Sequence, residues 1–259
     1  MNELDRLIEI LCEERGEPAP HISDEEKADY FRALCNVRPP MPVTEEFLRL
    51  QDAYLTKKKY ERGITDVNSL RFAGGITLFK GDITTLNADA VVNAANTRML
   101  GCFQPLHNCI DNVIHSAAGV RVRLDCNDIM KGKCAQNGEV IVTSAYNLPS
   151  KYIFHTAGPI ISGKVTPSGE NDLAKCYRNC IIAACEKGAK TLAFCCISTG
   201  VFGYPKNEAA RVAVQTVKTC LESVGKDCGP KVIFNVFTEE DYEIYRRLLG
   251  KDGKTQNRA

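Results

Sequence analysis

No apolar run in this 259-residue chain approaches the roughly 20 residues that a membrane-spanning helix requires. The opening stretch, MNELDRLIEILCEERGE, is amphipathic and acidic, and it lacks the basic start and apolar block of a secretory signal. A cytoplasmic location follows as the expectation, with no membrane partner. A basic stripe is missing too: 33 Lys and Arg oppose 32 Asp and Glu, for a net charge of +1. The densest cationic run, TKKKYERG near residue 60, reads as the solvated end of a helix. Nucleic acid is therefore not an expected partner, while a small anionic ligand stays open. Internal repeats, low-complexity segments and CxxC pairs are all absent.

Cysteine, by contrast, is plentiful. The count is 13, an odd number in a chain that is not small and shows no export signal, which argues against a disulfide framework. Most of these residues read as buried small hydrophobes, as for Cys195 and Cys196 in the strand-like run TLAFCCIS. Hydrophobic residues make up 44%, enough for a substantial core in one large domain or one domain plus an extension.

Residues 1–70 read as a helical N-terminal extension. Leu4, Leu7, Ile8 and Leu11 keep the spacing of one helix face. Ser23 and Glu26 form a capping-box signature ahead of KADYFRALCN, RPPMP stops that helix, and Thr44 can cap the next. From about Ile76 the pattern changes. ITLFK, ADAVVNA, EVIVTSA, KYIFHTAG, KTLAFCCIS and PKVIFNVF read as strands, with helical runs beginning near Ile110, Arg121, Asn171, Pro205 and Glu239. Val- and Ile-rich strands flanked by helices predict a three-layer α/β/α domain over residues 71–250. The polar tail, residues 251–259, is expected to be disordered.

In sheets of this kind, ligands bind outside the carboxyl ends of the strands, and four such segments are polar or glycine-containing. In GDIT, the Asp82 carboxylate can accept from an exocyclic amine, or it can simply close an Asx-turn. In NAAN, Asn93 and Asn96 can address a sugar or satisfy loop backbone. STGVFGYP, from Ser198 to Pro205, combines hydroxyls, two glycines and the start of a helix, a composition suited to an anion nest. Phe237 can stack on a base or pack at a sheet edge.

A fifth segment, GCFQPLHNC at Gly101–Cys109, places Cys102, His107 and Cys109 in a C-x4-H-x-C spacing. Thiolate and imidazole are preferred zinc ligands, and three of them leave a coordination position for water or substrate. The alternative is a loop with one surface histidine and two packed cysteines. Asp111 follows at a helix start, where the macrodipole alone favours an acid. His115 and His155 read as packed histidines.

Taken in order, GDIT, ADAVVNAAN, IDNVIHSAAG, IFHTAGP and STGVFGYP resemble the macrodomain family of ADP-ribose-binding modules, from about residue 76 to 248. The chain is similar to MacroD-type hydrolases, with Asp111 in CIDNVIH at the position of their aspartate. Where those carry a glycine run, GCFQPLHNC resembles a zinc-containing branch found beside ADP-ribosylating sirtuins. The resemblance implies a macrodomain with a mixed central sheet, and zinc (Zn2+) on Cys102, His107 and Cys109. It also implies that Asp82 reads adenine with the backbone of Ile83 beside it, and that Asn93 and Asn96 face the distal ribose. Ser198, Thr199, Gly200, Val201, Phe202, Gly203 and Tyr204 would cradle the diphosphate, with Phe237 near the adenine. Asp111 would position or activate water. The implied activity is removal of mono-ADP-ribose from modified protein side chains, with a lipoyl-carrier protein as one substrate suggested by family context. A non-catalytic ADP-ribose reader and an O-acetyl-ADP-ribose deacetylase are the alternatives.

Overall fold

The computed structural model describes residues 3–225, 229–250 and 256–258. Three helices come first: α1 (Glu3–Arg15), α2 (Lys27–Val37) and α3 (Glu45–Arg62). The apolar spacing of the first helix does what it predicts, burying Leu7, Ile8 and Leu11. The predicted Ser23 cap does not form: its Oγ donates to Glu26 Oε2 at 2.7 Å instead of accepting a helix N–H, and α2 starts after Glu26 with no side-chain cap. Thr44 Oγ1, by contrast, accepts from the Phe47 N–H at 3.2 Å to start α3. Together the three helices enclose a cluster around Leu7, Leu11, Phe31 and Phe47, which Val120 joins from the rest of the chain.

The second core lies on a mixed sheet. Its strands are β1 (Ile76–Lys80), β2 (Ala90–Ala95), β3 (Val140–Ser144), β4 (Tyr152–Ala157), β5 (Thr191–Phe194), β6 (Lys231–Val236) and β7 (Gln256–Arg258). The spatial order is β3-β4-β2-β5-β6-β1-β7. Every neighbouring pair is parallel except β3 with β4. The helices are α4 (Ile110–Ala118), α5 (Arg121–Met130), α6 (Pro167–Glu186), α7 (Lys206–Val224) and α8 (Glu239–Leu249). Helix α6 begins at Pro167, ahead of the predicted Asn171, because Thr166 Oγ1 caps it and the proline suits its first turn. Most of the tail expected to be disordered, residues 251–255 and 259, lies outside the described residues; residues 256–258 pair with β1 as a strand.

Strand parity sorts the two helical layers. Val92 pairs with Phe154, and Phe194 pairs with Phe234, whose rings continue to Tyr177 of α6 and Tyr245 of α8. Side chains one residue along must point the other way. Asn93 and its register partner His155 therefore face α4 and α5. The parallel strands also bring the carboxyl ends of β1, β2, β4, β5 and β6 to one edge of the sheet.

Thr44→Ala removes a side-chain cap from α3 and is expected to cost about 1 kcal/mol in urea unfolding. Equal midpoints for variant and parent would show that the cap contributes nothing.

Candidate active site

Outside that edge lies a cavity of about 880 Å³, within the range of small-molecule sites. The residues just past four strands line it: Asn96 after β2, Gly158 after β4, the segment from Cys195 to Phe202 after β5, and Phe237 after β6. The Gly101–Asp111 segment forms the facing wall.

Asp111 sits in the first turn of α4, only 5% exposed. Asn93 Nδ2 donates to its Oδ1 at 2.7 Å, and Asn96 Nδ2 donates to its Oδ2 at 3.3 Å. Burial pushes the carboxyl up to about 6, against the opposing pull of the Asn93 hydrogen bond and the charge of Arg123. Asn93 is in turn held from behind. Its amide donates to His155 Nδ1 at 3.1 Å, which leaves the proton on Nε2, 3.0 Å from Thr143 Oγ1. Burial lowers His155 to about 3, so the ring stays neutral. His115 Nε2 lies 3.5 Å from Asp111 Oδ1, and desolvation holds this ring well below its ordinary value.

The Cys–His–Cys set lines the cavity beside Asp111. Cys102 Sγ is 3.6 Å from His107 Nδ1, and the donor atoms of Cys102, His107 and Cys109 all lie within 4.8 Å of one another. Cys109 is the N-cap of α4, its sulfur accepting from the Asn112 N–H at 3.4 Å, a place where a helix favours thiolate. Even so, burial raises its thiol to about 11, and the nearby Cys102 and Asp111 push the same way. Two sulfurs and an imidazole within 4.8 Å of one another make a donor set that fits zinc. His115, Cys126 and His155 form a second close group, buried and away from the cavity, where His155 is already committed to Asn93 and Thr143.

A family model for the Macro domain matches residues 92–213. A protein-ADP-ribose hydrolase of Staphylococcus aureus is 46% identical, the alignment covering 97% of this chain and 96% of that protein. The chain belongs to the Macro domain family. Among solved structures, the Trypanosoma brucei macrodomain in complex with ADP-ribose is 27% identical with a TM-score of 0.66, over 89% of this chain and 97% of that one. The Oceanobacillus iheyensis macrodomain with ADP is 39% identical with a TM-score of 0.58, over 66% of this chain and 89% of that one.

Not every residue singled out in the sequence lines the macrodomain's cavity. Asp82 stays at the sheet edge with Oδ1 accepting from the Thr84 N–H at 2.8 Å and hydroxyl at 2.7 Å, an Asx-turn that uses one of its two carboxylate oxygens. Ile83 is buried beside it. Asn93 is fully buried beneath the cavity as the support of Asp111. Residues 198–202 line the cavity, whereas the Gly203 and Tyr204 N–H groups donate back to Gly200 and Ser198 carbonyls to close the loop. Ser198 takes a left-handed φ of 65°, its Oγ pressed so close to Gly158 that a Cβ there would sit 2.1 Å away. Cys195 and Cys196 follow β5 rather than lying inside it, and both reach the cavity, as does Asn235. Nothing in their immediate sequence marks them, since they arrive through strand length and twist.

The neutral, buried His155 has a thermodynamic signature. Between about pH 6.5 and 3 the unfolded chain carries a proton on this residue that the folded one refuses, so stability falls as pH drops through that window. His155→Gln keeps an amide able to reach Asn93 and Thr143. Its stability is expected to fall less steeply than the parent's from pH 6 to 4, by up to about 1.4 kcal/mol per pH unit. Parallel stability curves would rule this out.

Proposed function

We propose that this macrodomain is a zinc-dependent hydrolase that releases mono-ADP-ribose from modified protein side chains. The observation that carries the reading is a buried carboxylate, Asp111, opening on the same cavity as a Cys–His–Cys donor set. The relatives named protein-ADP-ribose hydrolase, aligned along nearly all of both chains, support the activity. Macrodomain structures containing ADP-ribose or ADP support the ligand class.

Cys102, His107 and Cys109 would hold the metal, which when bound supplies Lewis-acid polarisation of an oxygen at the reacting centre. The chain's own residues do the rest. Residues 198–202 line the cavity with a backbone turn suited to a diphosphate, and Phe237, 76% exposed at the cavity rim, offers a ring for a base. Asn96 links the two halves of the chemistry, since its Nδ2 also donates to the Gly101 carbonyl at 3.0 Å. With both carboxylate oxygens fixed by amides, Asp111 can orient a water molecule and take its proton as the oxygen attacks. The ribose-to-side-chain linkage breaks, and the acceptor leaves with a proton. The protein carrying the modification is not encoded in these residues; a lipoyl-carrier protein rests on family context alone.

Asp111→Asn is expected to lower single-turnover release of ADP-ribose from a mono-ADP-ribosylated protein by about 10²–10⁴-fold while ADP-ribose binding persists. Cys102→Ala and His107→Ala should lose metal and release together. Chelator-stripped protein that still turns over fully, with metal loss verified, would defeat the zinc requirement. Binding of ADP-ribose without release from any of several linkages would identify a reader, and comparison with O-acetyl-ADP-ribose separates a deacetylase.

A further inference from the structure

The Cys–His–Cys loop has almost no regular backbone pairing of its own, and its peptide groups are answered by side chains. The Leu100 carbonyl accepts from Arg123 Nε at 2.8 Å, and the Gln104 carbonyl accepts from Asn112 Nδ2 at 2.9 Å. Further contacts come from α2, about 70 residues earlier in the chain. Asn36 Oδ1 accepts from the Leu106 N–H at 3.0 Å, and Arg32 donates to the His107 carbonyl at 3.0 Å and to Asn112 Oδ1 at 2.9 Å.

These α2 contacts bracket a strained point. Leu106 has a φ of 55°, a conformation that a bulky residue adopts only when its surroundings over-determine it. It directly precedes His107, so its backbone sets where the imidazole points. Asn36 is 2% exposed, and its Nδ2 is anchored on Ser116 Oγ at 3.0 Å, which fixes the side chain against α4. Arg123 locks the other end of the arrangement, donating to the Cys35 carbonyl at 2.9 Å and to the Arg38 carbonyl at the end of α2. Its guanidinium also lies 4.2 Å from the centre of the Phe103 ring.

We propose that the N-terminal helices serve the active site directly: Asn36 and Arg32 of α2 are positioning residues that hold Leu106 and His107 so that the imidazole meets Cys102 and Cys109. The proposal rests on reading those three residues as a metal site. A helix that merely covered the sheet would touch the loop through apolar packing; here it supplies hydrogen bonds to the backbone of consecutive residues, Leu106 and the ligand His107.

The test is release of Zn2+ from the full-length protein to a chromogenic chelator, alongside ADP-ribose affinity by calorimetry and folding by circular dichroism. Asn36→Ala and Arg32→Ala are expected to release zinc roughly tenfold to a hundredfold faster, as for other residues that support metal ligands, with ADP-ribose affinity retained. Asn36→Asp keeps the acceptor for Leu106 and should restore slow release. Arg32 is only half-buried, so its variant decides the matter if Asn36→Ala does not fold. Parent-like release from folded Asn36→Ala or Arg32→Ala overturns the positioning role while the metal site stands. A parent protein that takes up no zinc, or other thiophilic divalent metal, overturns the metal reading and this proposal with it.

Discussion

A carboxylate taken out of water must be met by donors, and around this cavity the requirement is Asp111's. Two amides from the end of β2 meet it, one from inside the strand and one from just beyond it. Asn93 is then itself a buried polar group, so His155 on β4 and Thr143 on β3 complete a chain across three strands. That chain specifies register. A slip of β4 by one residue would place Phe154 opposite Asn93 and leave its amide without a partner. The same facing pairs that build the sheet thus hold one acid in place at its edge.

The loop opposite obeys the same logic with less regular means. Cys109 caps α4, so the residue that starts the helix carrying Asp111 also presents a sulfur to the cavity. Asn112, one residue after Asp111, uses its backbone for that cap and its side chain for the loop. Gly101 is needed where it stands: its φ is 80°, and a Cβ there would come within 2.9 Å of the His115 ring. Acid, sulfur and imidazole are therefore gathered on one short segment of chain at the start of α4.

Much of this was legible in the residues alone. The strands beginning at Ile76 and Lys231, the helix capped by Thr44, the helix beginning near Ile110, and the clustering of Cys102, His107, Cys109 and Asp111 all rest on short-range chemistry. Asn93, Asn96 and the Ser198–Pro205 segment were visible as polar or glycine-containing stretches at the ends of apolar strands. What each does there was less visible. Asp82 closes its own turn, Asn93 lies beneath the cavity instead of lining it, and Gly203 and Tyr204 spend their N–H groups within the loop. A polar residue's local sequence states what it can bond, and its burial and neighbours decide which bond it makes.

The sequence by itself determined the order of strands and helices along the chain, the family resemblance, and the grouping of Cys102, His107, Cys109 and Asp111 in one segment, because each is read from short stretches taken in chain order. Only the tertiary structure decided that Cys195 and Cys196 reach the cavity, that His155 supports Asn93, and that Arg32 and Asn36 grip the loop before α4. Those pairings join residues some 40 to 100 positions apart. Their partners are chosen by how the sheet twists and where the helices settle on it, which no local spacing records.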